Sequence, residues 1–187
     1  MALRLFTRHP APERPEAASE ATARPETWTP EGVTVVQRYA NQVGTLILLF
    51  SADDNRYYHV VACLGCHYME TTDLDNAYSG GLELKAAARV ANAHAATCRA
   101  LPRPIPTRPD DDTARDQLRR CVLNGQRRSQ DVRIGVSFFD RNRLTLQRTN
   151  EWIINELQRL ADAHPELVRT EHPSYSRRAE YYLRPSN

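Results

Sequence analysis

The sequence has 187 residues and a formal net charge of +2, so it is long enough for one domain of ordinary size or two small ones, and its charge alone does not identify a partner. Its longest apolar run, residues 43–50, is less than half the ~20 residues that a membrane-spanning helix needs, which excludes a bilayer-spanning helix. We therefore expect a soluble, cytoplasmic protein, in whose reducing environment cysteines favour metal binding over disulfides.

Residues 1–30 are predicted to be a disordered tail. Five prolines alternate there with Ala, Glu and Arg, and no apolar periodicity is present. Such a segment buries too little apolar surface to offset the entropy that it would lose on ordering.

Residues 31–101 are predicted to form a small antiparallel sheet followed by a helix. β-branched and apolar residues favour strands at 33–38, 43–50 and 56–62, with polar turn residues between them. After a polar loop, residues 82–94 have a strongly helix-favouring composition.

Four potential metal ligands follow from this layout. Cys63 and Cys66 are separated by two residues, so both thiols can bind one metal from a knuckle turn, in which Gly65 provides backbone freedom. His94 and Cys98 lie four residues apart and so project from the same face of a helix. Three sulfurs and one nitrogen form a closed tetrahedral set used for structural zinc. The sequence therefore predicts a Zn2+ site at Cys63, Cys66, His94 and Cys98.

Several alternatives stay open. His59 or His67 could replace His94 as the nitrogen ligand. Residues 63–67 also match the attachment motif of c-type haem, but such haem is attached outside the cytoplasm and we find no export signal. No βαβ pattern supports a redox dithiol. Buried, reduced thiols are the main competitor to zinc, and Cys121 is expected to be a core residue of the next segment.

The CxxC…HxxxC arrangement resembles that of small actinobacterial zinc-binding proteins. The basic residues agree with such a source, because Lys85 is the only lysine among 25 basic residues and an arginine bias is typical of a GC-rich genome. The resemblance implies a structural zinc ion.

Residues 102–112 are predicted to be a linker at a domain boundary. Four prolines give an extended, semi-rigid segment, and three aspartates then suit the N-terminus of a helix over residues 113–123. The first domain would therefore cover 31–101 and the second 113–187.

The second domain is predicted to be α+β. Alternating apolar residues indicate a strand over 132–138, followed by either a hairpin or a short helix ending at Gln147. Thr149 begins a clear amphipathic helix, and two strands follow, at 167–170 and 179–183. This order resembles a winged helix. The whole chain is thus predicted to be α+β, a zinc-closed sheet and helix followed by a winged-helix-like domain.

The prediction of nucleic-acid binding is based on the arginines. Nine of them lie between Arg115 and Arg148 against only three aspartates, and a local positive excess attracts nucleic-acid phosphates. The residues predicted to contact DNA or RNA are Arg119, Arg120, Arg127, Arg128, Arg141, Arg143 and Arg148, with Arg177 and Arg178 at the tip of the last hairpin.

We therefore predict a zinc-stabilised nucleic-acid-binding protein that regulates transcription or a mobile element. The alternative is a zinc-stapled protein-interaction module whose arginines are simply solvated. We expect no enzymatic activity and no small-molecule substrate, because no Gly-rich phosphate loop, nucleophile elbow or paired catalytic carboxylates are present.

Overall fold

The computed structural model describes residues 27–53, 55, 57–72, 81–126, 130–174 and 179–185. The fold is α+β, as predicted, and contains two antiparallel sheets. The first half consists of β1 (Val33–Ala40), β2 (Leu46–Ala52), β3 (Val60–Cys63), β4 (Met69–Glu70) and α1 (Leu84–Thr97). The second half consists of α2 (Asp111–Gly125), β5 (Val132–Ile134), a 3-10 helix (Val136–Asn142), α3 (Arg143–Leu146), α4 (Asn150–Ala163), β6 (Val168–Glu171) and β7 (Glu180–Leu183).

The first sheet has the strand order β1-β2-β3-β4 and is covered on both faces. Ile47, Leu49 and Val61 pack against the small residues of α1, which let the helix lie close to the sheet. Leu48 and Phe50 point to the opposite face, into a separate cluster. Burial on both faces explains why β2 is a continuous apolar run rather than an alternating one.

β2 begins later than the predicted residue 43, because residues 41–45 form a tight turn. The Asn41 side-chain oxygen accepts hydrogen bonds from the backbone N–H groups of Val43 (3.1 Å) and Thr45 (2.8 Å). This turn leaves Val43 exposed and gives Thr45 a fully buried position.

The two halves share a hydrophobic core. Leu144 of α3 belongs to the same buried cluster as Trp28, Val33 and Phe50. Gly32, which has a φ of +80°, lies so close to the turn before α4 that a Cβ there would be 1.9 Å from the Arg148 carbonyl oxygen. The halves are therefore packed against each other through both side chains and backbone.

In the segment predicted to be a linker, residues 102–110 form no helix or strand and are bound to the body of the protein at several points. Ile105 packs against the shared cluster, and Gln147 donates a hydrogen bond to the Pro106 carbonyl (3.0 Å). α2 begins at Asp111, two residues earlier than predicted, because the Asp110 side chain caps it by accepting from the Thr113 N–H (2.7 Å).

The folded part begins before residue 31, contrary to the predicted tail boundary. Trp28 is only 8% exposed and contributes its indole to the shared core, while Arg38 donates to the Trp28 carbonyl (3.0 Å). The rest of the predicted tail, residues 1–26, lies outside the described residues.

The second half has the element order that carries the winged-helix resemblance, with sheet order β5-β7-β6. The predicted strand over 132–138 ends at Ile134, which corrects the interpretation of its alternating pattern. Phe138 N–H donates to the Gly135 carbonyl (3.1 Å) and the Arg143 guanidinium donates to the Val136 carbonyl (3.2 Å), so the backbone turns into the 3-10 helix. The region therefore follows the helical alternative rather than the hairpin.

The α4 boundaries agree with their predicted signals. The Thr149 hydroxyl accepts from the Trp152 N–H (3.2 Å), and His164 ends the helix. Among the residues that the structure describes, no helix is long and apolar enough to span a membrane.

Candidate metal centre and nucleic-acid interface

The four predicted metal ligands lie together although Cys66 and His94 are 28 positions apart in the sequence. Their ligand atoms are all within 4.8 Å of one another, and the Cys66 Sγ–His94 Nε2 distance is 3.3 Å. Zinc bonds of about 2.3 Å to sulfur and 2.0–2.1 Å to nitrogen place the donors of a tetrahedron about 3.6–3.8 Å apart. The donor atoms thus lie within about 1 Å of tetrahedral spacing: the longest distances must shorten and the Cys66–His94 distance must lengthen slightly.

The first two ligands come from the knuckle that joins β3 to β4. The Cys63 N–H donates to the Tyr68 carbonyl (2.9 Å) and the His67 N–H to the Cys63 carbonyl (3.1 Å), which closes the turn. The residue with a positive φ is His67 (61°), not Gly65 as predicted. Gly65 is required for a different reason, since a Cβ there would lie 2.6 Å from the Thr45 methyl carbon and 2.9 Å from the Leu101 carbonyl oxygen.

The other two ligands lie at the end of α1. His94 is in its last turn, whereas Cys98 is the residue after the helix and does not share its stripe, contrary to the prediction. The Cys98 N–H still donates to the His94 carbonyl (2.8 Å), which holds the two side chains close.

Two residues whose role the sequence does not reveal hold this second pair in place. Asn41 donates to the carbonyls of Cys98 (3.3 Å) and Ala100 (2.9 Å), and the Thr45 hydroxyl donates to the Ala100 carbonyl (2.5 Å). Asn41 was recognisable only as a turn residue, because nothing in the sequence indicates that the turn reaches a segment more than fifty residues away.

The thiols lie in different environments. Burial raises the pKa of Cys63 to about 11, so this thiol stays protonated until a cation displaces its proton. A hydrogen bond from the Ala100 N–H (3.5 Å) lowers the pKa of Cys98. The Tyr68 N–H similarly donates to Cys66 Sγ (3.4 Å). Such N–H···S bonds stabilise thiolates, which is the form that binds metal.

The surroundings of His94 favour its neutral form. Burial lowers its pKa, and neutral imidazole is the form that coordinates a metal. Its ring stacks on Tyr68 with a centroid distance of 4.3 Å and an interplanar angle of 12°, which fixes the ring orientation.

The alternative nitrogen ligands lie outside the group. His59 is buried, with its Nδ1 3.4 Å from the Leu82 carbonyl oxygen, and Arg103 donates to His67 Nε2 (2.6 Å). Cys121 packs at the edge of the second core, as expected, and all four cysteines are free of disulfides.

Two of the arginines predicted to bind nucleic acid are instead structural. Arg143 and Arg148 are fully buried, so neither can reach a phosphate. Arg143 donates to the carbonyl of Arg148 (3.3 Å) and to the side chain of Asn150. Their predicted role is therefore wrong, because charge counting along a sequence does not distinguish a solvated guanidinium from one that binds carbonyl groups inside the fold.

The remaining predicted contacts divide into two groups. Arg119, Arg120 and Arg141 are exposed and form no ion pair with a described residue. Arg127, Arg128, Arg177 and Arg178 lie outside the described residues. Other arginines of the second half are paired with carboxylates: Arg115 with Glu156, Arg133 with Glu180 and Arg169 with Asp131. The local positive charge is therefore smaller than the sequence suggested.

Comparisons with protein-family models, with curated proteins and with solved structures yield no significant match to this chain. The functional conclusions therefore depend on the four-ligand group and on the surfaces of the chain itself.

Proposed function

We propose that Cys63, Cys66, His94 and Cys98 bind a structural Zn2+ ion. The observation that carries this is the meeting of three sulfurs and one imidazole nitrogen within 4.8 Å. Four protein donors fill a tetrahedral zinc ion and leave no position for a substrate, which is typical of structural rather than catalytic sites. The ion would join the end of β3 to the end of α1 and would add its binding free energy to the stability of the fold.

Metal analysis of the protein purified without added zinc tests this proposal. We expect one zinc per chain in the wild type and in Cys121→Ser, and loss of zinc in Cys63→Ser. Cys121 is the matched control because it is a free cysteine outside the group. Wild-type protein that is folded but free of metal, or that carries another metal, would contradict the assignment.

We further propose that the second half binds nucleic acid. This rests on the winged-helix element order, in which a turn at residues 147–149 joins α3 to α4 as in a helix-turn-helix unit. The exposed Arg119, Arg120 and Arg141 would supply phosphate contacts. Regulation of transcription or of a mobile element is the biological role that such binding would serve.

The test is binding of the full chain to a short labelled DNA duplex, and to an RNA hairpin, over a range of salt concentrations. Logarithmic affinity should fall linearly with logarithmic salt, by about 0.9 per phosphate neutralised on B-DNA. Arg119→Gln with Arg120→Gln should flatten the slope, because two phosphate contacts are lost. Arg133→Gln is the control, since its guanidinium already pairs with Glu180 (2.7 Å). The proposal would be refuted if neither the duplex nor the hairpin showed salt-dependent binding.

A second candidate, a protein-interaction module, is favoured by the exposed face of α4. In a winged helix this helix would enter the major groove, yet its exposed face carries Glu151, Asp162 and the apolar Ile154 (37% exposed). If α4 lies against DNA, Glu151→Gln with Asp162→Asn should tighten binding by removing repulsion. Unchanged affinity would mean that α4 is not in the groove, and would favour a protein partner for this face.

A further inference from the structure

A cleft of about 490 Å³ separates the metal knuckle from the helices of the second half. One wall contains His67 and Met69, and the other contains Arg141 and Leu144 of the 3-10 helix and α3. Arg103, from the proline-rich segment, completes the lining. The volume lies within the 300–1,000 Å³ range of small-molecule sites.

The cleft contains positive charge without a counter-charge. Arg103 and Arg141 are both exposed, and neither forms an ion pair with a described residue. None of the residues that line the cleft is an aspartate or glutamate. Two guanidinium groups that face one concave surface attract an anion, and their planar forks match the oxygens of a phosphate.

Arg103 is oriented without being neutralised. Its Nη1 donates to His67 Nε2 (2.6 Å), a contact that requires the imidazole to carry its proton on Nδ1. His67 has a left-handed backbone (φ 61°), a conformation that residues other than glycine adopt at some energetic cost. The strained knuckle therefore presents the His67 Nε2 acceptor, which fixes the orientation of the Arg103 guanidinium without neutralising its charge.

Apolar side chains complete the surface. Leu64 and Met69 on one wall and Pro104 near Arg103 offer contacts for a planar or aliphatic group beside the charged one. A ligand that satisfies both features has a phosphate attached to a flat, weakly polar body.

We propose that this cleft binds a nucleotide unit, with the phosphate held between Arg103 and Arg141 and the base or sugar against the apolar wall. The unit can be a free nucleotide or one residue of a nucleic-acid strand, since both offer the same phosphate chemistry. The inference goes beyond the proposed function, because a free nucleotide would occupy the site even if the second half bound no duplex.

The experiment uses the zinc-loaded full chain and three probes: AMP, adenosine and the labelled DNA duplex. Calorimetry or chemical-shift titration measures the two small probes, and fluorescence anisotropy measures the duplex. Arg103→Gln and Arg141→Gln should each weaken AMP binding about tenfold or more, since a charge-assisted hydrogen bond is lost. Arg141→Lys should lose less AMP affinity than Arg141→Gln, because lysine keeps the positive charge although it lacks the planar guanidinium group.

Arg133→Gln is the matched control, since Arg133 is an exposed arginine outside both the cleft lining and the proposed duplex contacts, and its replacement removes one charge. It should leave AMP affinity unchanged. Adenosine should bind much more weakly than AMP. Unchanged zinc content and circular dichroism establish that each variant folds.

AMP binding that is lost in Arg103→Gln and Arg141→Gln supports a free-nucleotide site, even if the duplex does not bind. Loss of duplex binding in Arg103→Gln, without any AMP binding, supports a strand phosphate in the cleft, because Arg103 is not among the duplex contacts proposed above. Duplex binding that Arg103→Gln retains, together with no AMP binding, overturns the cleft and leaves the proposed function intact. If the wild type binds neither AMP nor the duplex, the cleft proposal is overturned, and the proposed function is overturned as well when the RNA hairpin is also not bound.

Discussion

Arg148 lies at the junction of the two halves, and we expect its replacement to destabilise the protein more than any exposed arginine does. Four of its five guanidinium N–H donors are used. Nη1 donates to the Leu146 (3.3 Å) and Gln147 (2.9 Å) carbonyls, and Nη2 donates to the Pro109 carbonyl (2.7 Å) and the Asp111 carboxylate (2.8 Å). The guanidinium carbon is also 5.2 Å from the Trp152 ring centroid.

Arg148→Met fills a similar volume but leaves three carbonyls without their donor. A buried acceptor that loses its hydrogen bond costs about 1–3 kcal/mol, so three carbonyls, counted near the low end of that range, give about 3–5 kcal/mol, a large share of the 5–15 kcal/mol typical of a domain. For a chain of this size, about 2–4 °C is lost per kcal/mol, so the Tm should fall by roughly 6–20 °C. Arg148→Lys should also destabilise, because one ammonium cannot reach all four acceptors.

Denaturant unfolding followed by far-UV circular dichroism measures this effect, with Arg119→Met as the control. Arg119 is exposed, so its replacement should change the free energy of unfolding by no more than about 0.5 kcal/mol. The reasoning would be refuted if Arg148→Met were as stable as the control. It would also be refuted if the variant lost nucleic-acid affinity while keeping full stability, since Arg148 would then be a contact residue.

Three further outcomes are expected. Gly65→Ala should weaken metal retention in a chelator competition, because the alanine Cβ would clash with the Leu101 carbonyl oxygen 2.9 Å away. Metal retention equal to that of the wild type would show that the knuckle can shift. Deletion of residues 1–26 should leave the unfolding midpoint unchanged. Trp28→Ala should lower the free energy of unfolding by about 3–5 kcal/mol, because Trp28 is a buried aromatic residue. The reverse pattern would show that the stabilising contacts lie in the deleted segment. Acidification should release the metal, because protons compete for thiolates and imidazole, and a metal content constant down to pH 4 would contradict the assigned donors.

The Cys/His group that could hold a metal ion was predictable from the sequence because its chemistry is local. The spacing of Cys63 and Cys66, and that of His94 and Cys98, each place two donors within one turn of backbone, so only the meeting of the two pairs required the fold. The Thr149 cap was equally readable, since a cap hydroxyl bonds a backbone group three residues away.

What could not be predicted depends on partners distant in sequence. Arg148 is buried because its hydrogen-bond partners Pro109 and Asp111 come from nearly forty residues earlier in the sequence. Trp28 is buried because it packs into the shared cluster, although the sequence around it is rich in proline. The alternating apolar pattern that ends in Phe138 is typical of a strand, but the Arg143 guanidinium donates to the Val136 carbonyl and the backbone there turns into the 3-10 helix. In each case a tertiary contact overrides a local pattern.

The close approach of Gly32 to the Arg148 carbonyl also bears on how related chains can be identified. No side chain fits between these backbones, so a homologue that keeps this junction must keep glycine at the start of its first strand. It must also keep a residue able to adopt the left-handed conformation of Gln147, whose φ is 46°, just before the buried arginine. These positions, far apart in sequence, form a joint signature that should persist after the exposed arginines have diverged.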